Sequence, residues 1–278
     1  MAKVAITGAT GYLGSRLCAY LTAHGLPYFI LPRIKNTSDL VNLLSKSKPD
    51  VVFHLATKFI AEHAAEDIED LIASNVLYGC QLLEAMSRCQ IRRLVVTGTG
   101  WQRTGDGEKT PANLYAATKN AFDEILKFYS DAYNFNAVRL MLFDTFGPGD
   151  KRNKLIPDMI RTALAGERKR HELSGGQQKI DILHSSDIIA GLMAALELTK
   201  KPGIQEYRLS SQNPITLKEL AEKIATLGNA KFEMVWGAKT YRGREVMKPW
   251  QSGPVLPGWK PQYSLEAGLK DVLRVSAN

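Results

Sequence analysis

Residues 3–14 read KVAITGATGYLG: an apolar run, then three glycines at intervals of three, then a helical pattern that lasts to Gly25. Gly8, Gly11 and Gly14 permit a tight turn and close backbone approach. A pyrophosphate can then sit on the N-terminus of the helix that follows. The strand before and the helix after are the context this motif requires, which separates it from a loop that is merely tight. Thr10, Tyr12 and Leu13 complete the candidate cofactor-binding turn.

The rest of the N-terminal half repeats that rhythm. Apolar runs at 28–31, 50–56, 93–97 and 137–143 alternate with helical patterns at 12–24, near 38–47, 66–89 and 113–133. Near-continuous apolar strands suit a parallel sheet covered on both faces, and the alternation predicts a doubly wound α/β (Rossmann) fold. After FGPGD (146–150) the pattern changes. A basic, loop-rich stretch surrounds a helix near 154–166. Helices near 186–199 and 216–227, the strands EYRLS and KFEMVW, and a Pro/Gly/Trp-rich C-terminus follow. The expectation is a dinucleotide-binding domain over 1–150 plus about 181–203, and a smaller α/β substrate lobe from about 151–180 and 204–278.

Charge narrows the partners. Lys and Arg number 36 against 28 Asp and Glu, a formal net charge of +8, which suggests an anionic partner. The basic residues are dispersed apart from RKR at 168–170, and no nucleic-acid motif accompanies them. A small molecule carrying pyrophosphate is therefore expected, not nucleic acid. No apolar run is long enough for a membrane span. With a motif under way at residue 8, no signal peptide is expected. Cys18, Cys80 and Cys89 lack metal-ligand or disulfide spacing, so reduced thiols, no metal and a cytoplasmic location are expected.

Sites for NAD usually offer Asp or Glu at the end of the second strand, to hold the ribose 2'-hydroxyl. This chain offers LPRIKN. Arg33, with Lys35 behind it, could pair with a 2'-phosphate, which favours NADP(H); the alternative is a solvated surface charge.

In NLYAATKNA (113–121), Tyr115 and Lys119 are one helical turn apart and share a face. One reading is an amphipathic helix with Phe122, Leu126 and Tyr129 in the core. The other is chemical. A phenol with pKa about 10 is an adequate acid at neutral pH, and a nearby ammonium favours its phenolate. Hydride delivery to a carbonyl needs such a proton donor aimed at the oxygen. Asn75 falls on the apolar face of helix 66–89 with Leu71, Leu82 and Met86. There it must find a partner, as a core asparagine tied to backbone or as part of a site.

Together GxxGxxG at 8–14, HLA at 54–56, TGT at 97–99 and YxxxK at 115–119 resemble the extended short-chain dehydrogenase/reductase family. The resemblance covers most of the chain. It implies that Tyr115 is the general acid/base and that Lys119 lowers its pKa and holds the nicotinamide ribose. It also implies that Thr99 hydrogen-bonds the substrate carbonyl and that Asn75 supports the lysine through water. Leu55, Ala56 and Thr57, in and beside HLA, join the cofactor-binding set, as do Tyr115 and Lys119. A homodimer built on the helices near 66–89 and 113–133 is also implied.

Sugar-nucleotide dehydratases resemble TDE where this chain has Thr99-Gly100-Trp101, so no carboxylate is there for dehydration. Nor is there the serine-cysteine pair of reductase-epimerases. YRGREV (241–246) resembles the family's diphosphate-binding stretch, with Arg242 matching and Arg244 as the nearby alternative. NKLIP resembles the nucleotide-lining segment and carries Lys154. GWKPQYSLEAGL (258–269) resembles the closing helix. In SGGQQKIDILHSSDI, Ile180 stands where 4-ketosugar reductases have arginine, and Lys179 precedes it. Thr99, Gly100, Trp101, Lys154, Lys179, Arg242 and Arg244 are thus the candidate substrate-binding residues. The whole most resembles CDP-4-keto-3,6-dideoxyhexose reductases of the abequose and paratose synthase type, which finish deoxysugars for bacterial surface polysaccharide (lipopolysaccharide O-antigen). The expectation is NADPH-dependent reduction of the C4 ketone of a nucleotide-diphosphate-linked deoxysugar. A 4-epimerase with tightly bound NAD and a non-catalytic dinucleotide sensor are the alternatives. Segment 33–50 runs almost directly into a helix, leaving no room for a normal third strand.

Overall fold

In the computed structural model, which describes residues 2–34, 36–104 and 107–275, the glycine turn links β1 (Val4–Thr7) to α1 (Tyr12–Ala23). Next come β2 (Tyr28–Leu31), α2 (Thr37–Ser47) and β3 (Val51–His54). Helices α3 (Ile68–Ile72) and α4 (Tyr78–Arg88) lead to β4 (Arg93–Thr99), and α5 (Leu114–Tyr133) leads to β5 (Asn136–Leu142). Then follow β6 (Asp144–Phe146), α6 (Leu155–Ala165), β7 (Arg170–Leu173), β8 (Lys179–Ile180), β9 (Ile182–His184) and α7 (Ser185–Leu198). The described chain closes with β10 (Ile204–Leu209), β11 (Ile215–Thr216), α8 (Leu217–Leu227), β12 (Glu233–Trp236) and α9 (Leu265–Val275).

Six parallel strands form the main sheet in the order β10-β5-β4-β3-β1-β2. Alternate residues feed opposite faces. Val4 and Ile6 of β1 pack with Leu17 and Leu21 of α1 and with Ile188 and Leu192 of α7. Ala5 between them faces Leu40 and Leu44 of α2, Leu82 of α4 and Leu126 of α5. That two-sided burial is why the strands read as near-continuous apolar runs. A third cluster, including Phe146, Met159, Ile182, Leu220 and Leu269, forms the lobe. No helix among the described residues is long and apolar enough to cross a membrane.

The chain steps from β1 to β2 on one side and crosses to β3 on the other. The crevice of an open α/β sheet lies where this order reverses, outside the carboxyl ends of β1 and β3. The short 33–50 segment forms α2 alone, so β2 is the sheet's edge.

Three expectations need correction. Residues 204–209, assigned to the lobe, form β10 and pair with β5 in the main sheet. The closing helix begins at Leu265, after the proline-bearing stretch 257–261. Finally, helix 66–89 is not continuous: a π-helical segment spans Ala73–Leu77 between α3 and α4. No proline or glycine causes it. Within it the consecutive side chains Ser74 and Asn75 are both buried, and π segments are frequent at functional sites.

Candidate active site

A cavity of about 1220 Å³ lies at the carboxyl ends of the sheet strands, bounded on its far side by the lobe. The glycine turn forms one wall. Gly8 has φ +72°, and a Cβ there would lie 2.5 Å from the backbone nitrogen of Ala56. A Cβ on Gly14 would lie 2.0 Å from the carbonyl oxygen of Gly8. Gly11 donates to that same oxygen at 3.0 Å and is the N-cap of α1, whose first turn has no side-chain cap. Those free N–H groups form an anion site. Thr10, Tyr12, Leu13, Leu55, Ala56 and Thr57 also line the cavity. A cradle in which two glycine Cβ atoms would meet backbone, opening onto an uncapped helix, fits a dinucleotide pyrophosphate.

Arg33 lines the same cavity, and its Nη2 donates to Ser74 Oγ at 2.7 Å. Lys35 lies outside the described residues. The Leu31-Pro32-Arg33-Ile34 stretch holds no carboxylate, and Ser74 from the π-helical segment steadies the guanidinium. Sequence reasoning missed Ser74.

Helix α5 sets the chemical end. Asn113 caps it, accepting from Ala116 N–H at 2.9 Å and donating to Ala61 O at 2.8 Å. Tyr115, Lys119, Phe122, Asp123 and Leu126 form its buried stripe. Of the four expected catalytic residues, Tyr115 and Thr99 line the cavity, while Lys119 and Asn75 are not among its lining residues. Burial pushes the Tyr115 phenol up to about 12, opposed by a hydrogen bond with Thr57. Its ring stands edge-on to Phe59, with centroids 5.0 Å apart.

Lys119, only 4% exposed, donates from Nζ to Thr97 O at 2.9 Å. Burial pushes it down to about 8, while Asp123 pulls it back up and Arg139 presses it further down. Burial and the Thr57 hydrogen bond are the causes of the Tyr115 shift, and the Lys119 ammonium, one turn along α5, is held by the Thr97 carbonyl. Asn75 is fully engaged. Thr57 Oγ1 (3.0 Å) and Lys58 N–H (2.8 Å) donate to its Oδ1, and its Nδ2 donates to Lys58 O (2.9 Å) and Thr118 Oγ1 (3.0 Å). It thus grips the residue beside Lys119, not Lys119 itself.

At the lobe side, Gly100, Trp101, Lys154, Lys179 and Arg242 line the cavity. Arg244 does not; its Nε donates to Pro111 O at 3.0 Å. Arg242 pairs with Glu62 at 2.5 Å across the mouth. Lys154 sits 3.9 Å from the centroid of Phe59, and burial lowers its pKa. Asp144, whose carboxyl burial pushes up, lines the same space. Phe59, Glu62 and Asp144 lay in segments with no pattern to mark them. Gln102, Asp123 and Arg139, buried directly behind Thr99, were also missed. There a signal existed: Arg139 interrupts the apolar run AVRLMLF, and a charge in a strand buried on both faces must have a partner.

A profile of the NAD dependent epimerase/dehydratase family matches residues 4–207. The CDP-abequose synthase of Salmonella typhimurium (strain LT2) is 25% identical over 296 residues, covering 98% of this chain and 97% of that protein. That of Yersinia pseudotuberculosis is 26% identical, covering 89% and 91%. Among solved structures, the UDP-glucose 4-epimerase of Thermus thermophilus, in complex with NAD, superposes with a TM-score of 0.84 at 20% identity, covering 99% of both chains.

Proposed function

The chain belongs to the NAD dependent epimerase/dehydratase family, and from that premise we propose that it reduces the C4 ketone of a nucleotide-diphosphate-linked 4-keto-deoxysugar with NADPH. The observation that carries this reading is that Tyr115 and Thr99 line the same cavity, with no carboxylate at 100–102. A phenol held protonated by burial is ready to donate, as reduction requires. Curated relatives matching almost end to end include CDP-abequose synthases, which supports a nucleotide sugar as the substrate.

NADPH, when bound, supplies the hydride. Tyr115 gives its proton to the oxygen on which charge develops. Thr99 Oγ1 already accepts from Trp101 N–H at 3.3 Å, so its own proton is available for the same oxygen. As the phenol loses its proton, the Lys119 ammonium one turn along α5 favours the phenolate. Asn75, through Thr57 and Thr118, holds the loop after β3 to α5. Arg242 and Lys154 supply cations for the diphosphate, with Arg242 exchanging Glu62 for it. Protein mixed with NADPH and a CDP-4-keto-3,6-dideoxyhexose should consume NADPH and ketosugar one for one. Protein that releases stoichiometric NAD on denaturation and consumes no NADPH is the 4-epimerase, a reading favoured by the solved neighbour named above.

Arg33 should decide the cofactor. Charge-assisted hydrogen bonds contribute roughly 1.5–3 kcal/mol. Arg33→Ala should therefore weaken NADPH binding about 10- to 100-fold and leave NADH within twofold, in a fluorescence titration. An unchanged preference removes Arg33 from the 2'-phosphate site.

Ile68, Ile72 and Leu77, together with Phe128 (58% exposed) and Tyr133 on α5, are large exposed apolar side chains on the helices expected to dimerise. They support a homodimer, and equilibrium sedimentation giving a monomer at micromolar concentration removes it.

A further inference from the structure

We infer that Gln102 is the positioning residue that locks the Thr99 turn onto the helix carrying Tyr115, through a closed ring of polar side chains. The inference rests on the reading of Thr99 and Tyr115 as the substrate-facing pair. Gln102 is 1% exposed, and both ends of its amide are used. Oε1 accepts from Thr99 N–H at 2.8 Å, while Nε2 donates to Asn120 Oδ1 at 2.9 Å and to Asp123 Oδ2 at 2.5 Å, both on α5. The ring then continues outward. Arg139 on β5 pairs with Asp123 at 2.5 Å and with Glu206 on β10 at 2.9 Å. Glu206 pairs with Arg103 at 2.7 Å, and Arg103 is the residue after Gln102. Two adjacent residues of the turn thus grip two carboxylates that share one arginine.

The chemistry of this position is narrow. On one side stands a backbone donor and on the other a carboxylate, so the bridging group must be a neutral acceptor and donor of amide shape. There is no slack: a Cβ on Gly98 would lie 2.7 Å from Gln102 Oε1. Asp123 and Glu206 against Arg139 and Arg103 leave the ring neutral in charge, so an added carboxylate would make it net negative. Thr99 ends β4 and begins the turn with Trp101, and Gln102 is the contact that sets that turn at a fixed distance from α5. In a reaction that needs a hydroxyl and a phenol on the same oxygen, that distance governs the rate more than the binding.

Two variants test this by hydrogen exchange of the segment 98–104, which needs no substrate, and by turnover of NADPH with a CDP-4-keto-3,6-dideoxyhexose. Gln102→Met keeps the volume and loses all three side-chain bonds. It should raise exchange in that segment about tenfold or more, with distant strands unchanged. It should also lower kcat about 10- to 100-fold, with KM for NADPH within twofold. Gln102→Glu sets a carboxyl against Asp123, with Arg139, Asn120 and Lys119 facing the pair and Glu206 beyond Arg139. At about pH 5.5 the two carboxyls share a proton that replaces the amide donor, and at about pH 8.5 they repel. This variant should therefore resemble the wild type at the lower pH and Gln102→Met at the higher, after correction for intrinsic exchange. Wild-type exchange in both variants at pH 8.5, or a rise spread evenly over the sheet, overturns the inference. A wild type that does not turn over the ketosugar instead removes the proposed reaction, and the exchange result still decides whether Gln102 holds the turn.

Discussion

Tyr115→Phe should lower kcat for ketone reduction by two to four orders of magnitude, about 10²–10⁴-fold, the range in which a positioned general acid contributes. The substitution removes one oxygen and little else. The ring keeps its edge-to-face contact with Phe59, and Thr57 keeps its bond to Asn75. The lost contact with Thr57 is worth about 1 kcal/mol, so the variant should fold and bind cofactor with near-normal affinity. The wild-type pH profile supplies a second check. Burial holds Lys119 at about 8, so its ammonium is present below that pH and lost above it. The reduction rate should fall as pH rises through about 8, because the phenolate left after proton transfer then loses its neighbouring charge. The phenol, pushed up to about 12, remains protonated across that window. A Tyr115→Phe enzyme with wild-type kcat would falsify the assignment of the proton donor.

How much of this could be read in one dimension depends on the range of each interaction. The glycine turn, the apolar strands and the face shared by Tyr115 and Lys119 are local patterns, and local patterns survive in a sequence. Thr99 was reachable through the TGT motif at 97–99 that the family resemblance carries. The π-helical segment was not. Within it Asn75 bonds Thr57, Lys58 and Thr118, partners between 17 and 43 residues away that no local pattern records. The same holds for the direction of Lys119. Helical spacing puts it beside the phenol, yet only the fold shows that Thr97 O accepts its hydrogen bond. The ring around Arg139 lies between these limits: its need for partners was legible, their identity was not. Residues 204–209 were misassigned because a short strand, here IQEYRL, carries no mark of the sheet it joins. Pairing with β5 is decided by the crossover through α7.

Gly14→Ala should abolish productive cofactor binding, by roughly 100-fold or more, while Gly25→Ala leaves it untouched. Both replace a glycine at an end of α1, so a generic effect on the helix would move them together. Their surroundings differ. A Cβ on Gly14 would sit 2.0 Å from Gly8 O, 2.7 Å from Gly8 C and 2.8 Å from Ala9 Cα. All three are backbone, so no side chain can swing aside; the turn and the first turn of α1 must separate. An anion held by N–H groups from both loses its geometry when they part, and misplacement of about 1 Å costs on the order of 100-fold. The separation itself should cost about 1–3 kcal/mol of stability, the usual range for overpacking. Gly25, by contrast, has φ +62° and nothing within 4 Å of its added carbon. Its alanine variant bears only the strain of a left-handed residue, about 1–2 kcal/mol. Calorimetric titration with NADPH separates the two, since their stability losses overlap but their affinities should not. Equal affinities would mean that close packing of the glycine turn against α1 is not what builds the anion site.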